Sequence, residues 1–266
     1  MPTPTPPSAP TPVTTPKSPA SDRASGALRS TDDIEVLFGQ IVRRYDTMNR
    51  LMTGGRDQAW RRMVARQAVM GGRDAHVLDV ATGTGDLALA LAAAGAREVS
   101  AIDLSQPMLD AAAIKLAARS ADGTDLTIDF QQGDAMHLPF DDDTFDACTV
   151  SFGLRNMPDY AGAITEMVRV LRPGGRWVCL ELTPFRVPVL RAGFGVYFQR
   201  VVPLVGGMLS GQRDAYRYLP SSVANFPMAG EVLVLMQQAG LVNTRYHLLG
   251  GGTVAIHTGE KSWPGA

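Results

Sequence analysis

The chain has 266 residues, 45% of them hydrophobic, and a net charge of −1. That length supports one large α/β domain with a real core, and the near-neutral balance removes the electrostatic case for a nucleic-acid partner. Two cysteines, Cys148 and Cys179, sit in apolar strand patterns and are too few for a disulfide framework or a zinc cage; they read as small core hydrophobes in a reducing, cytoplasmic setting.

Residues 1–30 are low in complexity, with eight of the 18 prolines in the first 20 positions among Thr, Ser and Ala. Such a stretch cannot bury enough apolar area to offset its ordering entropy, so a disordered tail is expected. It lacks the charged-then-apolar layout of a signal peptide. No apolar run reaches the length of a spanning helix.

Residues 32–70 read as two helices. Asp32 or Asp33 can cap the first, with Ile34, Leu37, Phe38 and Ile41 on one face; the second starts near Asp57 and carries Trp60, Met63 and Val64. Both precede the first strand, so they are additions to a core fold and are placed to cover a ligand. Tyr45, in the segment between them, is either a lid residue touching ligand or a packing residue with a wet hydroxyl.

Val77-Leu78-Asp79-Val80-Ala81 is the run around which the rest is arranged: short, apolar and β-branched, as a fully buried parallel strand reads. It ends in Thr82-Gly83-Thr84-Gly85, and a helix pattern follows at once. Strand, glycine turn and helix open a nucleotide-binding sheet. Alone, Gly83-x-Gly85-x-x-Ala88 also suits a dinucleotide enzyme. Asp79 sets the stretch apart, since a carboxylate inside the strand can face a cationic ligand, and acidic residues end the next two strands.

Those strands are expected at 98–103 and 126–132, followed by 145–152 and 175–182, with helices at about 86–94, 107–119 and 159–171. The alternation predicts a doubly wound, mostly parallel sheet with right-handed crossovers. A last helix near 228–239 precedes a hairpin around Gly250-Gly251-Gly252, which adds an antiparallel strand at the sheet edge. The expected fold is thus a seven-stranded α/β domain over 31–261, with a short tail at 262–266. Residues 184–227 form an apolar, glycine-rich insertion at the C-terminal edge of the strands, read as a substrate lid or, alternatively, as packing or a dimer contact.

Asp103 ends the second strand, 18 residues after Gly85, where a carboxylate accepts from both hydroxyls of a ribose; the bland reading is a helix cap. Gln132-Gly133-Asp134-Ala135 ends the third, where an acid can take an adenine amino group. Asp141-Asp142-Asp143 reads as a solvated turn. The fourth strand ends in Ser151-Phe152-Gly153-Leu154-Arg155-Asn156, opposite the reactive end of a ligand bound at the first strand. Arg155 and Asn156 offer several donors for a developing oxyanion. Arginine stays protonated, so a water it orients is the better proton acceptor, and a structural salt bridge is the bland reading. His76, His137, His247 and His257 have no ligand-like spacing, and no metal is expected.

Val77–Asp86, Ala101-Ile102-Asp103, Gly133-Asp134-Ala135 and Leu171-Arg172-Pro173-Gly174-Gly175-Arg176 together resemble the motifs of class I S-adenosylmethionine-dependent methyltransferases. More narrowly, Tyr45-Asp46-x-Met48-Asn49, Ser151–Asn156, Tyr216-Arg217-Tyr218-Leu219-Pro220-x-Ser222 and Gly251–His257 resemble the quinone-biosynthesis C-methyltransferases, over residues 32–261. Two departures, Ala81-Thr82 before the glycine pair and Glu181-Leu182-Thr183-Pro184, remove no proposed ligand group. The resemblance implies S-adenosylmethionine as cofactor, with contacts at Asp79, Thr84, Asp103, Leu104, Asp134, Ala135 and Ser151, and with Gly83 and Gly85 shaping the loop. It implies C-methylation of a reduced polyprenyl quinone. Demethylmenaquinol is the first expectation. A 2-methoxy-6-polyprenyl-1,4-benzoquinol or another small apolar acceptor is the alternative. Arg155 and Asn156, with Tyr45 second, become the catalytic candidates. A polyprenyl acceptor implies peripheral contact with a membrane surface, and the apolar insertion leaves a homodimer open.

Overall fold

A computed structural model describes Val42, Asp46, Asn49, Arg50 and residues 53–71, 74–121, 126–184 and 222–265. The tail expected over 1–30, Tyr45 and the 185–221 part of the expected lid lie outside the described residues.

Helix α1 (Asp57–Ala68) leads through a 3-10 turn to β1 (His76–Val80), then α2 (Asp86–Ala93) and β2 (Glu98–Asp103). Next come α3 (Gln106–Ser120), β3 (Ile128–Gln132), β4 (Phe145–Ser151), a second 3-10 turn (Leu154–Asn156) and α4 (Tyr160–Arg169). The described chain closes with β5 (Leu171–Leu182), α5 (Ala229–Gln238), β6 (Leu241–Leu249) and β7 (Val254–Lys261). The seven strands stand in the order β3-β2-β1-β4-β5-β7-β6. Strands β1 to β5 run parallel, and the chain-terminal β7 is antiparallel to both its neighbours. β7 lies one place in from the edge, with β6 outside it: the hairpin returns its second strand to the sheet rather than its first.

The two-residue period of a buried strand divides the core. Val77 faces a layer with Trp60, Val64, Leu87 and Leu91, while Leu78 and Val80 face Ile164, Met167, Trp177 and Val232. Cys148 and Cys179 are buried free thiols in the second layer. The acidic triplet is a turn whose Asp142 and Asp143 pair with Arg169 and Lys261, each at 2.7 Å.

Of the boundaries that differ from expectation, three have a visible backbone cause. β1 and β4 each stop a residue early because Ala81 (φ 53°) and Phe152 (φ 57°) are left-handed, which neither side chain announces. β5 begins at Leu171, not 175: Leu171 pairs with Phe145, the Arg172–Gly175 stretch bulges out, and Arg176 resumes against Ala147.

Candidate active site

The order of strands reverses between β1 and β4, and the segments leaving β1, β2, β3, β4 and β5 lie along the C-terminal edge of the sheet around that point. Their backbones are tied together there. Thr82 N–H donates to Ile102 O, Gly133 N–H to Asp103 O, and Phe152 N–H to Leu180 O.

The turn after β1 is glycine-dependent at two positions. Gly83 and Gly85 have φ of 57° and 78°. A Cβ on Gly85 would stand 2.9 Å from Ala112 Cβ and 3.2 Å from the Phe130 ring, so α3 and β3 close on the turn as tightly as glycine allows. Asp103 sits half-buried across from it. One carboxylate oxygen accepts from Gly83 N–H at 2.8 Å and the other from Ser105 N–H at 3.0 Å. Burial raises the Asp103 carboxyl above its ordinary value, against the pull of the Ser105, Gly83 and Leu104 amides. A carboxylate has about four acceptor sites, so these amides do not exhaust what Asp103 can accept. Leu104 contributes a carbonyl that takes Gln132 Nε2 at 2.8 Å and fixes the ends of β2 and β3 to each other.

Asp79 lies beneath the turn, 1% exposed. It accepts from Thr82 Oγ1 at 2.7 Å and Thr149 Oγ1 at 2.9 Å, and burial pushes its pKa up to about 6. Thr84 is buried, and both functions of its hydroxyl are engaged: it donates to Asp46 at 2.6 Å and accepts from Lys115 at 2.8 Å. The hydroxyl is therefore spent within the protein, and the main chain is what Thr84 offers a ligand.

After β3, Asp134 accepts from Met136 N–H at 2.9 Å while keeping a third of its side chain exposed, and Ala135 is buried beside it. Ser151, the last residue of β4, has a buried hydroxyl with no hydrogen-bond partner among the described residues. Buried hydroxyls are nearly always satisfied, and Ser151 Oγ shares this unpartnered state with Ser105 Oγ just after β2.

The turn after β4 is built on ionic contacts. Arg155 is 5% exposed; its Nη1 donates to Glu181 at 2.7 Å and to Phe152 O, and its amide donates to the other Glu181 oxygen at 3.1 Å. Glu181 is fully buried near the end of β5 and also accepts from Leu182 N–H at 2.8 Å. Asn156, half-buried, reaches back to Phe152 O at 3.4 Å. The structure thus gives Arg155 the salt bridge of the bland reading.

Three residues of this region went unnoticed in the sequence. Arg61 on α1 is buried against Asp57 (2.6 Å) and lies 5.4 Å from the Phe152 ring, so one side chain touches both the cover and the β4 turn. Lys115 on α3 ties Asp46 to Asp86. Glu181 was visible only as part of a departure from a motif. The i,i+4 spacing of Asp57 and Arg61 was the one local signal for any of them; the other pairs join residues far apart in the chain.

Among the described residues no helix is long and apolar enough to cross a membrane. The profile of the ubiE/COQ5 methyltransferase family matches residues 27–261. The demethylmenaquinone methyltransferase of Thermus thermophilus is 46% identical over 85% of this chain and 100% of its own. The ubiquinone/menaquinone biosynthesis C-methyltransferase UbiE of Methylobacterium nodulans is 38% identical over 86% of this chain and 90% of its own. Among solved structures, the [4+2]-cyclase SpnF matches 90% of this chain and 99% of its own with a TM-score of 0.64 at 19% identity. A SAM-dependent methyltransferase from Thermotoga maritima matches 86% and 100% with a TM-score of 0.57 at 17% identity; these two likenesses concern the fold. The match along almost the whole described length places the chain in the ubiE/COQ5 methyltransferase family.

Proposed function

We propose that the protein methylates a ring carbon of a reduced polyprenyl quinone with S-adenosylmethionine, and that demethylmenaquinol is the acceptor. The observation that carries this reading is the 46% identity to a demethylmenaquinone methyltransferase along that protein's whole length. The residues fit the cofactor. Asp103 keeps acceptor sites beside a glycine turn, and Ser151 presents an unsatisfied hydroxyl at the strand reversal. Asp103 would hold the ribose, Asp134 and Ala135 the adenine, and the backbone of Gly83, Thr84 and Gly85 the amino-acid end. When bound, S-adenosylmethionine supplies an electrophilic methyl group on sulfonium.

The chain's own task is to align the acceptor and make it nucleophilic. Losing a phenolic proton concentrates charge on the ortho carbon, so a donor that holds the phenolate lowers the barrier. Asn156 is our candidate for that donor, because the residue is half-buried while Arg155 is buried and its Nη1 is engaged by Glu181 and Phe152 O. Arg155 then fixes the turn that carries Asn156. Tyr45 stays a candidate on sequence grounds alone. An acceptor with a polyprenyl tail sits at a lipid surface, so we place the protein in the cytoplasm with peripheral membrane contact through the 184–227 insertion; a homodimer is compatible with the same apolar segment.

A second reading has its own support: other relatives carry names that join ubiquinone and menaquinone biosynthesis. The test is transfer of label from S-adenosylmethionine to demethylmenaquinol and, separately, to a polyprenyl methoxybenzoquinol, in detergent. Label on the naphthoquinol supports the proposal, and label on both supports the joint reading. Cofactor binding with no label on either returns the acceptor to unknown.

A further inference from the structure

Lys115 lies on α3, outside the motifs read from the sequence, and its ammonium makes three contacts. It reaches Asp46 Oδ2 at 2.6 Å, Asp86 Oδ1 at 2.7 Å and Thr84 Oγ1 at 2.8 Å. An ammonium has three donors, so all of them are used. The three acceptors come from three separate segments: Asp46 from the chain before α1, Thr84 from the glycine turn, and Asp86 from the first turn of α2. The Thr84 hydroxyl closes the ring by donating to Asp46 Oδ1 at 2.6 Å.

The contacts continue into α1. Asp86 Oδ2 accepts from Gln58 Nε2 at 2.9 Å and stands 3.8 Å from Arg61, which pairs with Asp57 at 2.6 Å. Lys115 and Asp46 are 28% and 25% exposed and Asp86 only 14%, so this is a shielded network rather than one solvated pair. Groups so shielded are screened less by salt and solvent than surface ions are.

We propose that Lys115 is a positioning residue that couples the segment before α1 to the cofactor turn. It holds Asp46 on Thr84 and thereby sets the main chain of residues 83–85 for the amino-acid end of S-adenosylmethionine. This rests on the cofactor lying at the glycine turn, and it is independent of which quinol is methylated.

The variants are Lys115→Met, which keeps the length and removes the charge, Lys115→Arg, and Asp46→Asn. Cofactor affinity is read by calorimetry with S-adenosylmethionine alone, and amide hydrogen exchange over 46–57 and 82–86 is read on the cofactor-free protein. Lys115→Met is expected to weaken the cofactor roughly fivefold, since a charge-assisted contact to the turn is lost. Exchange should quicken in both stretches, KM for the cofactor should rise with little change in kcat, and Lys115→Arg should recover part of the affinity. Asp46→Asn should reproduce the exchange change with Lys115 still on Asp86, which keeps the test open if Lys115→Met does not fold. Unchanged affinity with unchanged exchange in either folded variant would overturn the proposal. Faster exchange at an unchanged affinity would also overturn it, leaving Lys115 as a stability contact only. If no protein in the set, parent included, binds S-adenosylmethionine, the failure belongs to the cofactor reading and not to Lys115.

Discussion

Asp79 and Glu181 are both buried carboxylates toward the C-terminal ends of central strands, and they are held in opposite ways. Asp79 accepts from two threonine hydroxyls, and its pKa is pushed up to about 6. Glu181 accepts from a guanidinium and two main-chain amides. The first arrangement leaves a costly charge beneath the cofactor turn. The second cancels a charge inside the turn after β4, which we propose faces the acceptor. A charge kept at a cost makes sense where a cationic ligand arrives; a cancelled one makes sense where a turn must keep its shape.

The largest expected effect comes from breaking the cancelled pair. Glu181→Ala strands the Arg155 guanidinium in the core and removes the acceptor for two amides, which should cost about 3–5 kcal/mol of stability. Denaturant unfolding measures it. Glu181→Gln should lose less, since a neutral acceptor remains for one donor at a time. A cost under about 1 kcal/mol for the alanine variant would mean the pair is solvated in solution.

Asp79 should behave in the reverse sense. Its carboxyl has a folded value of about 6 against an ordinary 3.8, so the folded chain binds more protons across that window. Stability is therefore lost as pH rises from 3.8 through about 6. Asp79→Asn, near in shape, should make the cofactor-free protein more stable at pH 7 by about 1–3 kcal/mol, a gain that fades to nothing below pH 4. His257 runs the other way. Burial lowers it from 6.5 to about 4, while its Nε2–H donates to Ala229 O at 3.1 Å. The unfolded chain takes the extra proton, and stability is lost as pH falls from 6.5 through about 4. In the parent the two slopes oppose each other between pH 4 and 6. The asparagine variant should show the His257 loss uncovered, as a steeper acid slope in melting temperature against pH. The same variant should bind S-adenosylmethionine more weakly, which is the exchange expected of a strained functional carboxylate.

The third effect lies on Asp103, the proposed ribose contact. Asp103→Ala should weaken S-adenosylmethionine binding by about 2 kcal/mol, roughly thirtyfold, as charge-assisted bonds are lost. It also frees the Gly83 and Ser105 amides, so calorimetry should be paired with a melting curve. Unchanged affinity would remove Asp103 from the site.

The two sides of this comparison were unequally readable. The cofactor side is written in local chemistry. Glycines at 83 and 85, a buried β-branched strand and an acid at or just after the end of each of the next two strands are visible in short windows, and all the strands fell within a few residues of their places. The acceptor side is written in tertiary contacts. Arg155 and Glu181 are 26 residues apart, and nothing near either names the other. Arg155 in a Gly-Leu-Arg-Asn run looks like an available donor until its partner is seen. The left-handed backbones at Ala81 and Phe152 were hidden for a related reason: those residue types prefer other conformations, and only the packing of two strand ends imposes this one.

That packing gives the smallest and sharpest test. A Cβ on Gly153 would stand 2.7 Å from Ala81 Cβ and 3.2 Å from Val150 Cγ2. The turns after β1 and β4 thus approach until one side must be glycine. Gly153→Ala should cost about 1–3 kcal/mol, the usual range for overpacking. Ala81→Gly alone should be near neutral: relief at φ 53° offsets the greater freedom of glycine in the unfolded chain. Combined, the two should recover about 1 kcal/mol relative to their sum, a coupling of the size that residues in contact show. The Val150 contact persists, so recovery stays partial. Additive costs would mean that the turns after β1 and β4 relax apart in solution. A coupling would mean that the two turns share one wall, as the close approach of Gly153 to Ala81 requires.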